Sequence, residues 1–429
     1  MKHIFLLSFN CFLLLCSGTG YAQLRSSQVD FPSDFGPNSF GHITHISGIG
    51  VHSVGTPEEK RVADYIFNEL SDVGIETTME KFTFESFDVR KTELEINGHP
   101  VEASQVCFNP YVGNFQFQGN FILLDSNNTT DSEIADQIVV ASYPLTNSAY
   151  FKLFFGSPRL ILVIPRLAFR QISKEVGRRL VCAIDGDIRK HTSQNVVGVV
   201  RGKYHPKNEI ILSAHYDSYP GSPGADDNAS GVGVLIELAR FFRQYQDSLN
   251  ANIKFVAFGG EEKGLLGSRV YLNRHRQNIA DCKLVLNMDQ LAGEHIFIET
   301  TGGVHGIPEQ TGNTQFPEFM RSRSLEGIES NWRLLAPEVL PLFAISNRPA
   351  WLADIIKEST HELFIPVTYA GNTGSDQMTF AQAGVVASAI GTSGNEVHSP
   401  KDVPSQVHEQ SLVDCGKIVL KIVLKTLER

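Results

Sequence analysis

Residues 210–288 read IILSAHYDSYPGSPGADDNASGVGVLIELARFFRQYQDSLNANIKFVAFGGEEKGLLGSRVYLNRHRQNIADCKLVLNM, and this stretch decides the fold. It holds three short apolar runs: IILSA (210–214), IKFVAF (253–258) and KLVLNM (283–288). Each run leads directly into acidic or histidine residues: His215-Tyr216-Asp217, Gly260-Glu261-Glu262 and Asp289. Between the first two lies Gly224-Ala225-Asp226-Asp227-Asn228-Ala229-Ser230-Gly231, which opens an amphipathic segment. Short apolar runs alternating with helical patterns predict βα units of a parallel sheet. Ligands of such sheets bind beyond the carboxyl ends of the strands. A histidine and several carboxylates are thereby delivered to one rim of one sheet, the outline of a metal site.

Working outward, Asn195–Gly202 (NVVGVVRG) reads as another strand of that sheet, and Val385–Ile390 (VVASAI) as its last. Helices are expected over Ser230–Phe242, Gly264–His275 and Leu412–Leu427. Upstream, Gly55-Thr56-Pro57-Glu58-Glu59 is a helix start: Thr56 can cap, Pro57 suits the first turn and Glu59 can close a capping box. Val62, Ile66, Leu70 and Val73 form the stripe of this helix, and Gly74 ends it. Residues 23–45 are polar and are expected to lack an element.

From 81 to 190 the character changes to β-like runs separated by Asn, Gly and Ser clusters, with Asn97-Gly98 as a hairpin turn. We read this as a mainly β insert beside the catalytic sheet, so the expected fold is α/β: a mixed, largely parallel central sheet flanked by helices, with an inserted β subdomain. The expected organisation is a signal peptide over 1–22, an N-terminal part of the catalytic domain over 23–80, the insert over 81–190, and the rest of the catalytic domain over 191–429. Residues 300–370 are expected to form irregular loops and short helices around a pocket.

Lys2, the apolar run Ile4–Cys16 and the small residues before Gln23 have the three parts of a secretory signal peptide. The run is too short and too interrupted for a membrane span, and no later stretch is apolar enough. The mature chain is expected to be exported, to the periplasm or beyond the cell. The net charge of −10 over the full 429 residues argues against nucleic-acid binding. Cys107, Cys182, Cys282 and Cys415 would remain after cleavage; export permits disulfides, and buried free thiols are the alternative.

Zinc takes imidazole nitrogen and carboxylate oxygen, and a two-metal site needs a bridging carboxylate with ligands from several strand ends. The candidates are His215, Asp227, Glu262, Asp289 and His398. Asp217, two residues past His215, is placed to accept the second N–H of that imidazole. Glu261 adjoins a candidate ligand and could hold the proton of an activated water. A lone His-x-Asp is usually a structural pair, and an isolated Glu-Glu is usually a solvated face; their ordered recurrence after apolar runs is what departs from chance. There is no HExxH, no GxSxG elbow and no phosphate-binding loop.

With these residues in hand, the chain resembles family 28 of the zinc metallopeptidases, which includes bacterial leucyl-type aminopeptidases. The likeness rests on HYDS, GADDNASG, GGEEKGLLGS, NMDQLAG, SDQMTF and HSPKDV in that order. It implies two zinc ions bridged by Asp227, with His215 and Asp289 completing one site and Glu262 and His398 the other. It also implies Glu261 as general base and acid, a cis peptide bond after Asp227, and the N-terminal peptide bond of peptides or proteins as substrate. The β insert stands where many relatives carry a protease-associated-like domain. Several relatives have an aromatic residue before the last histidine, where this chain has Val397, so an oxyanion-stabilising tyrosine is not assigned there. Asp376 and Tyr369 are candidates for the pocket wall. A carboxypeptidase, a glutaminyl-cyclase-like single-zinc enzyme and an inactive binding relative are the alternatives.

Overall fold

The structure is a computed structural model, and it describes residues 24, 29–101, 105–108, 115–124, 131–134, 137–143, 160–204, 208–277, 279–304, 349–372, 374–394 and 396–429. The expected signal peptide (1–22) lies outside the described residues, as does the stretch 305–348. The main elements are α1 (Phe35–Gly48), α2 (Pro57–Asp72), β1 (Glu76–Ile96), β2 (Arg179–Val200), β3 (Glu209–His215), α3 (Gly231–Gln244), β4 (Asn252–Phe258) and α4 (Leu266–Arg274). They continue as β5 (Cys282–Asp289), β6 (Ile296–Val304), α5 (Ala350–Leu363), β7 (Thr368–Asn372), α6 (Gln377–Gln382), β8 (Ala387–Thr392) and α7 (Glu409–Glu428).

The large sheet runs β7-β6-β8-β5-β3-β4-β2-β1. Its middle is parallel: β8 on β5, β5 on β3 and β3 on β4. Antiparallel pairs close both sides, β6 on β8 and β2 on β4. The fold is the expected mixed α/β type. All three apolar runs that announced it are central strands, and their alternate side chains enter two different cores. Ile210, Leu212, Phe255, Leu284 and Leu286 face the core built with α1, α3 and α7. Ile211, Val256, Phe258 and Val285 face the core containing Tyr271 of α4 and Phe380 of α6. A strand covered on both faces needs apolar residues throughout, which is why these read as runs instead of alternations.

Helix α2 begins as the sequence indicates. Thr56 accepts the backbone N–H of Glu59 through its hydroxyl, and Val62, Ile66 and Leu70 are fully buried. The capping box does not form in the expected way. The Glu59 carboxylate takes the N–H of Gly55 (2.7 Å) and turns inward, receiving hydrogen bonds from Ser193 and from Tyr216 (3.3 Å). Helix α1 departs from the expectation for 23–45. Phe35, Ile43 and Ile46 pack into the main core, and His42 bonds Tyr65 Oη (2.7 Å) and pairs with Glu237 of α3 (3.1 Å). Its glycines, serines and histidines mask a stripe that only the tertiary partner reveals.

The boundaries drawn at 81 and 190 fall inside β1 and β2. These strands pair without a break in hydrogen bonding from Glu76↔Val199 to Ile96↔Leu180, apart from one bulge near Val89. They are therefore members of the main sheet that run on as a ribbon, and the expectation of an insert wholly beside the sheet is corrected to that extent. Beyond the ribbon lies a separate four-stranded sheet containing Gln105–Phe108, Ile122–Leu123, Ile138–Tyr143 and Leu160–Pro165. Asn97 and Gly98, both with positive φ (52° and 87°), make the turn after β1. Within 300–370, β6, α5 and β7 are regular elements, more so than the composition suggested. Cys182, Cys282 and Cys415 are free thiols, and the side chain of Cys107 lies outside the described residues. No helix among the described residues is long and apolar enough to cross a membrane.

Candidate metal centre

Because β3, β4, β5 and β8 run parallel, their carboxyl ends share one rim. Registers Phe258↔His215 and Asp289↔Gly391 bring His215, the Glu261-Glu262 turn after β4, and Asp289 to that rim. The loop before α3 supplies Asp227. Asp402 clamps this loop by accepting the backbone N–H groups of Asp226 (2.7 Å) and Asp227 (3.1 Å). Gly224, at φ 67°, starts it; a Cβ there would stand 2.8 Å from the Asp227 carbonyl oxygen and 2.9 Å from Ser218 Cβ, so only glycine fits. The Asp227–Asn228 peptide bond is cis, as the resemblance implied. Asn228 then ties the loop to β5, donating to the Met288 carbonyl (3.0 Å) and accepting from Gln290 N–H (3.2 Å).

Two donor groups result. His215, Asp227 and Asp289 offer ligand atoms within 4.8 Å of one another, and so do Asp227, Glu262 and His398. Asp227 is common to both: Oδ1 lies 3.2 Å from His215 Nε2, and Oδ2 lies 2.9 Å from His398 Nε2. Asp289 Oδ1 and Glu262 Oε1 are buried without a hydrogen-bond partner among the described residues. Buried carboxylate oxygens require partners. Unpartnered oxygens converging with imidazole nitrogens are what a cation would satisfy, and this N/O set suits zinc. The residues therefore fit two metal ions.

Asp217 behaves differently from the expectation. His215 Nδ1 donates to the Asp217 backbone carbonyl at 3.1 Å, whereas the carboxylate oxygen is 3.6 Å away, beyond a hydrogen bond. The carbonyl fixes the tautomer and leaves Nε2 bare for a metal. The Asp217 carboxylate instead accepts the N–H groups of Glu261 (2.9 Å) and Glu262 (3.2 Å), setting the turn that carries both glutamates.

Electrostatics follow from six carboxylates and two imidazoles in a buried space. Burial lowers the proton affinity of His215, but Asp289, Glu261, Asp217 and Asp227 outweigh it and hold the imidazole well above its ordinary value. The same contest at His398, with Glu262 and Asp227, has the same outcome. Burial raises Asp227, yet hydrogen bonds from the two histidines bring it below the usual carboxylate range. At Glu261, burial dominates over the opposing pull of His215; Glu262, Asp289 and Asp376 add to it, and the carboxyl is held well above its ordinary value. Burial likewise pushes Glu262 up to about 7.

Asp376 is fully buried, neither of its oxygens has a hydrogen-bond partner among the described residues, and burial pushes it up to about 7. Beneath it, Asn287 of β5 donates to Ser375 Oγ (3.0 Å) and accepts from Ser213 of β3 (2.8 Å), which anchors its loop to the sheet. Tyr369 is not at the cluster. It sits on the edge strand β7, with β6 and β8 between it and β5, and its hydroxyl engages Thr360 of α5 at 2.9 Å. Two contacts escaped sequence reasoning. Tyr219 stacks on the His398 ring, centroids 4.2 Å apart and planes 14° apart, and Gln290 Nε2 donates to Asp227 Oδ2 at 3.1 Å.

Glu59, behind His215, gives a clean pH test because it belongs to neither donor group. Burial pushes it up to about 8 despite its hydrogen bonds from Ser193 and Gly55. The native state then holds a proton that the unfolded chain releases above its ordinary value of 4.5. Its contribution therefore falls as pH rises through that window, by roughly 3–5 kcal/mol in full. Glu59→Gln, compared with the wild type by urea unfolding at pH 5, 6.5 and 8, is expected to gain relative stability towards pH 8. A difference that stays constant with pH would overturn this assignment.

The sequence profile of peptidase family M28 matches residues 195–310. Aminopeptidase YwaD of Bacillus subtilis is 33% identical over 144 residues, which is 31% of each chain. The aligned part thus spans about a third of that relative's length. The probable lipoprotein aminopeptidase LpqL of Mycobacterium tuberculosis is 23% identical over 305 residues, covering 63% of this chain and 61% of its own. Among solved structures, a zinc aminopeptidase from Bacillus subtilis superposes with a TM-score of 0.64 at 17% identity, covering 91% of this chain and 94% of that one. At that identity the likeness is one of fold.

Proposed function

We propose, from the premise that the chain belongs to peptidase family M28, that it is an exported two-zinc aminopeptidase releasing the first residue of peptides. One observation carries the reading: Asp227 is shared between two histidine–carboxylate groups whose remaining carboxylates have unpartnered oxygens. His215, Asp289 and Asp227 would hold one zinc, and Glu262, His398 and Asp227 the other. When bound, the ions would supply Lewis acidity and a lowered pKa to water at the open position. Glu261 takes a proton from the attacking water and passes it to the departing amine. Glu261 belongs to neither donor group, which leaves its carboxylate free to accept and return that proton. Asp217 keeps Glu261 in place through the backbone. Asp376 lines the floor beside it. The catalytic unit comprises 23–80 and 191–429 with the inner parts of β1 and β2 that continue its sheet, and the segment between them carries the outer ribbon and the second sheet. The signal-peptide pattern at the N-terminus supports export.

The test is hydrolysis of a peptide panel, each peptide free, N-acetylated or C-amidated, with and without chelator. Chelator-sensitive cleavage that needs a free N-terminus and ignores C-amidation is expected. Cleavage lost on C-amidation and indifferent to N-acetylation would make the protein a carboxypeptidase. Zinc bound with no peptide cleaved would reject the peptidase reading, and conversion of N-terminal glutamine under those conditions would replace it with a cyclase.

A further inference from the structure

Gln290 follows Asp289 in a left-handed backbone conformation, φ 57°, which a side-chain-bearing residue adopts only when held. Three hydrogen bonds hold it. Its N–H donates to Asn228 Oδ1 (3.2 Å), and its carbonyl accepts from both the N–H (2.6 Å) and the hydroxyl of Thr392. The strand's alternation is broken there, and the side chain is directed onto Asp227 Oδ2 at 3.1 Å. A carboxylate serving as a metal ligand is ionised and can only accept, so the amide must present its N–H end to Asp227. The carbonyl end, Oε1, is thereby fixed at the opposite end of the amide. Gln290 and its neighbour Asp289 are only half-buried, whereas His215 and Asp227 are enclosed. The amide therefore stands on the open side of the donor cluster.

We propose that Gln290 is a substrate-binding residue whose side-chain carbonyl accepts a hydrogen bond from the α-ammonium group of the substrate's first residue. The proposal rests on the aminopeptidase reading. The surroundings suit a cationic ligand group, because carboxyl groups outnumber imidazoles around the cluster: Asp217, Asp227, Glu261, Glu262, Asp289 and Asp376 against His215 and His398. A neutral acceptor on a locked backbone adds direction to that attraction without adding charge. The simpler role, a brace for Asp227 alone, would act equally on every ligand and would appear first as weakened metal binding.

The experiment uses zinc-loaded full-length protein and calorimetric titration with leucine, the released product, and with its α-hydroxy analogue 2-hydroxy-4-methylpentanoate, neither of which has a bond to cleave. The wild type is expected to favour the amine, and Gln290→Leu to lose about tenfold or more of that preference. Zinc content should be unchanged, and Gln290→Glu should keep the preference. If Gln290→Leu retains the wild-type preference, or weakens both ligands together with loss of zinc, the proposal is overturned while the aminopeptidase reading stands. If the wild type itself does not distinguish amine from hydroxyl, both fall.

Discussion

Asp227→Ala is expected to lose both zinc ions and, with them, all measurable peptide hydrolysis. Asp227 is the one residue present in both donor groups, with an oxygen directed at each histidine. Removing it leaves two ligands on each side, which is too few for a stable zinc site. It also leaves the Gln290 amide without its acceptor. The loop itself should survive, because its anchors are the Asp402 clamp on the backbone and the Asn228 bonds to β5, none of which uses the Asp227 side chain. Elemental analysis after dialysis, beside circular dichroism, reads the result. Asp289→Ala is the comparison, since it strips one group and leaves the other intact. Retention of both ions by folded Asp227→Ala would contradict a shared ligand.

Glu261→Gln is expected to keep both ions and its fold while kcat falls about 10²–10⁴-fold, the range for removal of a general base or acid. Glu261 is a member of neither donor group, and its backbone N–H, through which Asp217 holds it, is unchanged by the substitution. Glutamine keeps the length and shape of the side chain and leaves all five candidate ligands in place, so both ions should stay bound. The signature is thus a loss in kcat with KM and zinc content nearly preserved. Loss of zinc in proportion to activity would reassign Glu261 as a ligand, and undiminished kcat would remove it from the chemistry.

The parts legible in the sequence share one property: each is coded by residues adjacent in the chain. A run buried on both faces followed at once by His215, Glu261-Glu262 or Asp289 announces a strand and its rim residue together. The cap of α2 is likewise local, Thr56 to Glu59. What escaped notice depends on partners far along the chain. Helix α1 has no clear stripe until α3 supplies Glu237 for His42. The Asp217 carboxylate reaches from the end of β3 to the glutamate turn at the end of its neighbour β4, 44 residues on, whereas spacing alone suggests a pairing with His215. Gln290 is aimed at Asp227 only because Asn228 and Thr392 fix a left-handed backbone, which no neighbouring residue encodes. Tyr219 meets His398 across nearly half the chain. The ribbon of β1 and β2 was divided because each strand's outer half is partly exposed and alternates, while the inner half of β2 is a buried run.

The last strand of the sheet in chain order, β8, is not at an edge; it lies between β6 and β5. As the polypeptide emerges during synthesis, the edge of β5 that β8 covers stays open until residues 387–392 have appeared. The segment bearing His398 and Asp402 follows later still. A fragment that ends before residue 398 therefore lacks both His398 and the Asp402 clamp and cannot complete the donor cluster, however much of the sheet it contains. Closure joins segments distant in the chain and must await its near-completion, a non-local step of the kind that slows folding.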